Sequence, residues 1–207
     1  MVSRSVAIVA CVVSAVFFVI TAHAINSLCG LLSPLALAIV FFYSLTKRFT
    51  HAAQFFLGLA LAVSPVGAWI AVTGKFALPP LVLALGVLLW VAGFDIIYAT
   101  QDVEIDRVEG LKSMVVLLGV PASLGLAQLL HFGMLLCLML FGWLAQLGIP
   151  YATILLCIFC ALIWEHRIAK RGDLDSIQRA FFLSNAIVGV LFVIGVSADC
   201  LLAVGLA

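Results

Sequence analysis

The chain has 207 residues, of which 66% are hydrophobic and only 9% charged, and its net charge is +1. Soluble domains are about 45–50% apolar and about 25% charged, so this composition excludes a soluble globular fold. It predicts an all-α, polytopic helical bundle surrounded by the lipid bilayer. The small net charge also lacks the basic footprint of a nucleic-acid-binding protein, so no nucleic-acid partner is expected.

Seven apolar runs, most of them close to the roughly 20 residues that cross a bilayer core, predict about seven transmembrane helices in one domain, residues 1–207. The runs are Val6 to Thr21, Leu31 to Leu45, Ala52 to Val72, Leu81 to Tyr98, Ala122 to Leu147, Tyr151 to Trp164 and Ala180 to Leu202. Arg4 before the first run and Ala22-His23-Ala24 after it resemble a signal peptide, but the run is long for one. A first transmembrane helix is the preferred interpretation.

The segments between these runs are mostly short. Gly74 to Pro80 predicts a turn, because it combines a glycine with two prolines. Ser113 to Val120 is predicted to be a short interfacial piece. Glu165 to Arg179 is predicted to be a polar segment before the last span. The sixth span is short, so it must either be tilted or extend into the beginning of this polar segment.

The basic residues predict the orientation of the bundle. With the amino terminus in the cytoplasm, all but one of the ten Lys and Arg residues fall on inner segments, and only Lys75 falls outside. Cytoplasmic loops carry an excess of Lys and Arg. The pattern therefore predicts that the acidic segment faces the cytoplasm together with Tyr43, Lys47 and Arg48, and a bacterial inner membrane is the expected location.

Five of the nine acidic residues lie between Phe94 and Ser113, where the fourth span ends. In an uninterrupted helix, Asp95, Tyr98, Asp102 and Asp106 would share a stripe about 80° wide over roughly 16 Å. Carboxylates at a membrane edge are costly unless they are paired or bind a cation. The stripe therefore predicts a cation site.

Asp102 and Asp106 are four residues apart, so their carboxylates would converge on one side of a helix. Mg²⁺ takes one or two carboxylates together with water and substrate phosphates, so these residues predict a Mg²⁺ site that a diphosphate completes. Tyr98, one turn deeper, would donate its hydroxyl to a leaving-group oxygen. The candidate phosphate contacts on the same face are Lys47, Arg48 and Lys112.

Two motifs resemble those of the UbiA-type intramembrane aromatic prenyltransferases. Asp95-x-x-Tyr98-x-x-x-Asp102-x-x-x-Asp106, followed by Gly110-Leu111-Lys112-Ser113, resembles the family's second aspartate-rich motif. The segment from Tyr43 to His51, before Gln54, is similar to the tyrosine and lysine segment of the 4-hydroxybenzoate polyprenyltransferase branch. The resemblance extends over essentially the whole chain.

The resemblance implies a helical bundle around a cavity that opens laterally to lipid. It implies transfer of a polyprenyl group from polyprenyl diphosphate to an aromatic acceptor such as 4-hydroxybenzoate, with Mg²⁺ as cofactor, in ubiquinone or menaquinone biosynthesis. Asp102 and Asp106 would then bind Mg²⁺-diphosphate, and Asp95 and Tyr98 would assist ionisation or position the acceptor. Phosphate or other substrate contacts would come from Tyr43, Lys47, Arg48 and Lys112.

One family feature is missing from this sequence. The family has nine spans and a first motif, N-D-x-x-D-x-x-x-D, between the second and third, whereas no acidic residue precedes Asp95 here. The chain therefore matches the family from its third helix, as an amino-terminally truncated form. We expect little or no activity from such a chain. One alternative is therefore that the chain is an inactive or incomplete remnant of the family that needs a missing amino-terminal part.

A membrane transport or ion-binding protein is a second alternative, in which the acidic stripe forms an ion path. Transporters built from repeats place polar or broken helices in both halves of the fold. The first three predicted spans contain no acidic residue, which disfavours transport.

Overall fold

The computed structural model describes residues 3–170 and 174–205, and within them nine α-helices and one 3₁₀ turn. The helices are α1 (Arg4–Ile25), α2 (Ser27–Tyr43), α3 (Ala53–Thr73), α4 (Leu78–Ala99), α5 (Val103–Val108), α6 (Met114–Leu118), α7 (Val120–Leu144), α8 (Ile149–Ala169) and α9 (Leu174–Gly205). The 3₁₀ turn is Thr46–Arg48. The all-α bundle predicted from composition is confirmed.

Six helices among the described residues are long and apolar enough to cross a membrane: α1, α3, α4, α7, α8 and the Phe181–Ala203 part of α9. The seventh apolar helix, α2, has 17 residues and is shorter than the rest. Such lengths suit a bilayer core of about 30 Å, in which helices satisfy their own backbone hydrogen bonds. The chain is an integral, multi-pass membrane protein.

Helix α4 lies at the centre of the bundle, in contact with α3, α7 and α9. In α4 and in α7, a third of the most apolar 18-residue stretch is buried within the bundle. The corresponding fraction is 6% for α1, which packs mainly on α2. One core cluster joins the end of α4 to α6, α7 and α8 through Ile96, Ile97, Val115, Ala127 and Ala169. Because Val115 of α6 belongs to this cluster, the cluster connects the end of the acidic segment to the interior of the bundle.

The segment after the sixth span differs from the prediction. Helix α8 continues past Trp164 to Ala169, which is one of the two outcomes expected for so short an apolar run, but Glu165 is completely buried rather than part of a polar segment. Tyr151, Ile158, Leu162, Glu165 and Ala169 form one buried stripe at helical spacing. The interior contacts of this stripe thus extend the helix beyond the apolar run. Helix α9 likewise begins at Leu174, before the predicted Ala180, and residues 171–173 lie outside the described residues.

The close approach of α3 and α4 depends on Gly58. A Cβ atom added to Gly58 would lie 2.5 Å from the backbone oxygen of Leu88, so only glycine fits without moving a helix. On the same helix, a Cβ added to Gly67 would meet no heavy atom of the described residues within 4 Å.

We expect Gly58→Ala to lower the free energy of unfolding by about 1–3 kcal/mol, because overpacking forces the two backbones apart. Unfolding of the purified chain in detergent, followed by circular dichroism, measures this. Gly67→Ala is the matched control and should show no loss. Equal stability of the two variants would contradict the close contact.

Candidate functional site

The acidic segment is not one continuous helix, so the predicted single stripe is wrong in this respect. Helix α4 ends at Ala99, and α5 begins at Val103. The N–H groups of Thr100, Gln101 and Asp102 each donate to a carbonyl three residues earlier, at 3.1–3.3 Å. This tight turn leaves Asp95 and Tyr98 at the end of a membrane helix, with Asp102 immediately before the short helix α5 and Asp106 within it.

A glycine turns the chain back after α5. Gly110 has a φ of +67°, in the left-handed region that side-chain-bearing residues seldom adopt. The N–H of Leu111 then donates to the carbonyl of Asp106 at 2.8 Å, which closes the end of α5. The reversal directs Lys112 and Ser113 towards the loop between α2 and α3.

Hydrogen bonds join this reversal to the loop between α2 and α3. The backbone N–H of Lys112 donates to the Lys47 carbonyl at 2.8 Å, and the Lys112 ammonium donates to the Phe49 carbonyl at 3.2 Å. His51 Nδ1 donates to the Ser113 carbonyl at 3.1 Å. The buried Gln54 side chain accepts from the N–H of Met114 at 3.3 Å. The two sequence motifs therefore form one unit, although about 60 residues separate them in the chain.

Lys47 and Asp106 form an ion pair at the centre of this unit. The Lys47 ammonium lies 3.4 Å from both carboxylate oxygens of Asp106. The Asp106 side chain is only 3% exposed, whereas that of Lys47 is 40% exposed. A carboxylate so far from water needs a cation or hydrogen-bond donors, and Lys47 supplies both.

The other predicted residues surround this pair at different depths. Asp95 is half-buried, and it is close enough to Lys47, Asp102 and Asp106 for their charges to interact. It also interacts electrostatically with Tyr43, in the last turn of α2. Tyr98 contacts Phe181 of α9, and the centroids of the two rings are 4.7 Å apart. Arg48 is exposed at the rim.

The donor set suits a magnesium ion only in part. The described residues contain no group of three or more His, Cys, Asp or Glu side chains that could hold a metal. The N–H of Asp106 donates to the carbonyl of Asp102 at 2.8 Å, so the two residues lie one helical turn apart, and both side chains offer hard oxygen donors. Because Mg²⁺ commonly takes one or two carboxylates plus substrate phosphates, Asp102 and Asp106 fit the protein's share of its ligands.

A second polar cluster, which the sequence analysis did not predict, lies between α7 and α8. His131 Nδ1 and His166 Nε2 are 2.9 Å apart, and His131 Nε2 donates to the Trp90 carbonyl at 3.3 Å. Glu165 Oε2 lies 3.8 Å from His131 Nδ1. Neither Glu165 oxygen has a hydrogen-bond partner among the described residues. The helical spacing of Ile158, Leu162 and Glu165 was the signal that could have revealed this buried acid.

The Lys47–Asp106 pair is testable by a double-mutant cycle. We expect Lys47→Met to lower the free energy of unfolding by about 1–3 kcal/mol, because it leaves a buried carboxylate unpaired. Combining it with Asp106→Asn should recover part of that loss, with a coupling energy of about 1 kcal/mol or more. Unfolding curves in detergent supply the four free energies.

The exposed pair of Glu104 and Arg107 provides the control, since its atoms are 3.3 Å apart but its side chains are 80% and 50% exposed. Glu104→Gln and Arg107→Met should couple by only about 0.5 kcal/mol or less. Equal coupling in the two cycles would contradict the special role of burial at Asp106.

Comparison with known proteins identifies the family of this chain. The family model described as "UbiA prenyltransferase family" matches residues 1–186. The chain is 35% identical over 174 residues to a 4-hydroxybenzoate octaprenyltransferase of Vibrio parahaemolyticus, a match that covers 82% of the chain and 59% of the relative. It is 34% identical to the enzyme of that name from Cronobacter sakazakii, covering 83% and 58%. The chain thus spans somewhat less than 60% of the length of these relatives.

A solved structure has the same fold. The apo structure of a UbiA homolog from Aeropyrum pernix superposes with a TM-score of 0.86 at 26% identity, over 96% of this chain and 74% of that one. The family predicted from the two motifs is therefore confirmed by independent sequence and structural matches. The chain belongs to the UbiA prenyltransferase family.

Proposed function

We propose that this chain takes part in the transfer of a polyprenyl group from polyprenyl diphosphate to an aromatic acceptor such as 4-hydroxybenzoate, in ubiquinone or menaquinone biosynthesis. The relatives named 4-hydroxybenzoate octaprenyltransferase support the substrate class. The single observation that carries the proposal is the ion pair of Lys47 and Asp106, which brings one residue of each family motif into contact.

The diphosphate would bind between the two loops. Asp102 and Asp106 would hold Mg²⁺ with the phosphate oxygens, and the bound ion would neutralise charge on the departing diphosphate. The cationic side chains at the same rim would contact the phosphates directly, namely Lys47, Arg48 and Lys112.

Lys47 has two roles in this proposal. Without substrate it neutralises Asp106 at 3.4 Å, and when the diphosphate enters, its flexible side chain turns to the phosphate. The side chain is 40% exposed, so its ammonium can be reached by a phosphate from solvent. The carboxylate of Asp106 is thereby released to accept a new cation.

The reacting atoms would lie one turn deeper, beside Asp95, Tyr98 and Tyr43. The bond between the allylic carbon and the diphosphate oxygen breaks, a ring carbon of the acceptor forms the new carbon–carbon bond, and the ring loses a proton. Tyr98 and Asp95 would assist ionisation or orient the acceptor. The apolar interior would exclude water that could quench the carbocation.

The lipid-soluble tail has a place among the helices. An apolar cavity of about 580 Å³ lies between α1, α2, α3 and α4, and its lining includes Ile39, Leu59 and Leu88. Ile39 is one turn before Tyr43, and Leu88 is two turns before Asp95. The cavity therefore extends away from the polar loops into the bilayer region.

We also propose the inner membrane of a bacterium, with the polar loops in the cytoplasm. The distribution of Lys and Arg in the sequence supports this orientation, because nine of the ten fall on segments predicted to be cytoplasmic and Lys75 does not. Water-soluble 4-hydroxybenzoate would then reach the site directly from the cytoplasm.

Substitution of the two aspartates tests the proposed reaction. Membranes containing the chain are incubated with Mg²⁺, polyprenyl diphosphate and 4-hydroxybenzoate, and the prenylated product, which is expected to be small in amount, is measured by mass spectrometry. Asp102→Ala and Asp106→Ala should each reduce product at least about 100-fold. Each removes a carboxylate that would hold Mg²⁺, and the ion would stabilise the negative charge of the departing diphosphate. Glu104→Ala, on the exposed side of α5, should retain activity. Product that survives both aspartate substitutions would refute the assignment.

Metal removal tests the cofactor separately from turnover. Chelation with EDTA should abolish binding of a fluorescent polyprenyl diphosphate analogue, and added Mg²⁺ should restore it, because the aspartates and the diphosphate are otherwise all anionic. Asp102→Asn should weaken the restored binding. Binding that is unchanged by EDTA would contradict a magnesium-dependent site.

A further inference from the structure

A groove between α7 and α8 is separate from the two polar loops. Its volume is about 370 Å³, and residues of both helices line it. The walls are apolar and include Phe132, Leu135, Phe159 and Ile163. Phe132 is 58% exposed, Phe159 44% and Ile163 37%, so the groove faces the bilayer rather than the interior.

One end of the groove is cationic. Arg167 and Lys170, at the carboxyl end of α8, line this end together with the amide of Gln128. Both basic residues are exposed, and neither is paired with a carboxylate among the described side chains. The buried His131 forms part of the floor beside His166, with Glu165 behind them.

The depth of this end matches the headgroup region of a membrane. Trp164 is 41% exposed at the end of the apolar wall, and exposed tryptophans concentrate at membrane–water interfaces. Arg167 lies one turn beyond Trp164, and Lys170 a second turn, which corresponds to roughly 4–9 Å along the helix. The cations therefore lie where lipid phosphates are found.

We propose that this groove binds one anionic phospholipid, with its phosphate against Arg167 and Lys170 and an acyl chain along Phe132, Phe159 and Ile163. Basic pockets between transmembrane helices bind anionic headgroups by this combination of charge and apolar contact. A free phosphate would use only the charged end, and a zwitterionic lipid would gain less from the two cations. The surrounding bilayer supplies such a lipid continuously, so charge complementarity selects it from its neighbours.

Native mass spectrometry of the intact chain in mild detergent tests this proposal. The chain is titrated separately with phosphatidylglycerol, with phosphatidylcholine of the same acyl chains, and with inorganic phosphate. We expect one phosphatidylglycerol to bind at least about tenfold more tightly than phosphatidylcholine, and inorganic phosphate not to compete. Equal affinity for both lipids, or displacement by inorganic phosphate, would overturn the proposal.

Two kinds of variant assign the lipid to this groove. Arg167→Gln combined with Lys170→Gln should weaken phosphatidylglycerol binding roughly tenfold to thirtyfold, at about fivefold for each cation. Arg4→Gln combined with Arg107→Gln removes two exposed cations from the same face and should leave binding unchanged. Loss in the control pair, or no loss in the groove pair, would refute the assignment.

A third variant keeps the test independent of charge and of folding defects. Ile163→Trp would fill the apolar half of the groove from its lipid-facing side, without changing the buried core of α8. It should weaken binding of both lipids while the thermal unfolding of the chain stays the same. Arg167→Lys should retain the selectivity for phosphatidylglycerol. Full lipid binding by Ile163→Trp would contradict the proposed position of the acyl chain.

Discussion

Asp106 is almost completely buried at one end of a membrane bundle, and a carboxylate in that position is costly unless a cation lies within a few ångströms. Lys47 supplies the cation from a loop that lies far away in the sequence. The ion pair therefore does more than neutralise one charge, because it joins two loops that the backbone hydrogen bond from Lys112 to Lys47 also connects. The candidate site exists only where this contact is made, since the aspartates come from one loop and Lys47 and Arg48 from the other.

The backbone of the same loops meets a related requirement. Irregular segments near a membrane have to satisfy their N–H and carbonyl groups without help from lipid. Gly110 permits the left-handed turn after α5, and the following residues then bond to the α2–α3 loop through Lys112 and Ser113. Below them, the cluster around Ile96 and Val115 gives the polar layer a rigid apolar base. The polar loops thus provide the charged groups of the candidate site, and the apolar cluster next to them stabilises the conformation of the loops.

Helix α8 has two sides that lie in different environments. The inner side of α8 buries Glu165 beside His131, while its outer side carries exposed apolar residues that end at Arg167 and Lys170. The apolar cavity between α1 and α4 has walls with almost no polar groups, so it suits a hydrocarbon chain alone. The two spaces differ in chemistry, because only the groove has a cationic end.

The sequence by itself determined the membrane class, the approximate positions of the spans and the two motifs. Apolar runs of about 20 residues leave little choice of fold, and the clustered aspartates are rare enough in such a chain to mark a site. It did not reveal the turn at residues 100–102, because i,i+4 spacing is compatible with both a continuous and a broken helix. Nor did it reveal that Glu165 is buried, because polarity alone predicts exposure. Only the tertiary structure decided that Lys47 faces Asp106 and that His131 lies beside Glu165, since both contacts join residues distant in the chain and depend on how neighbouring helices pack.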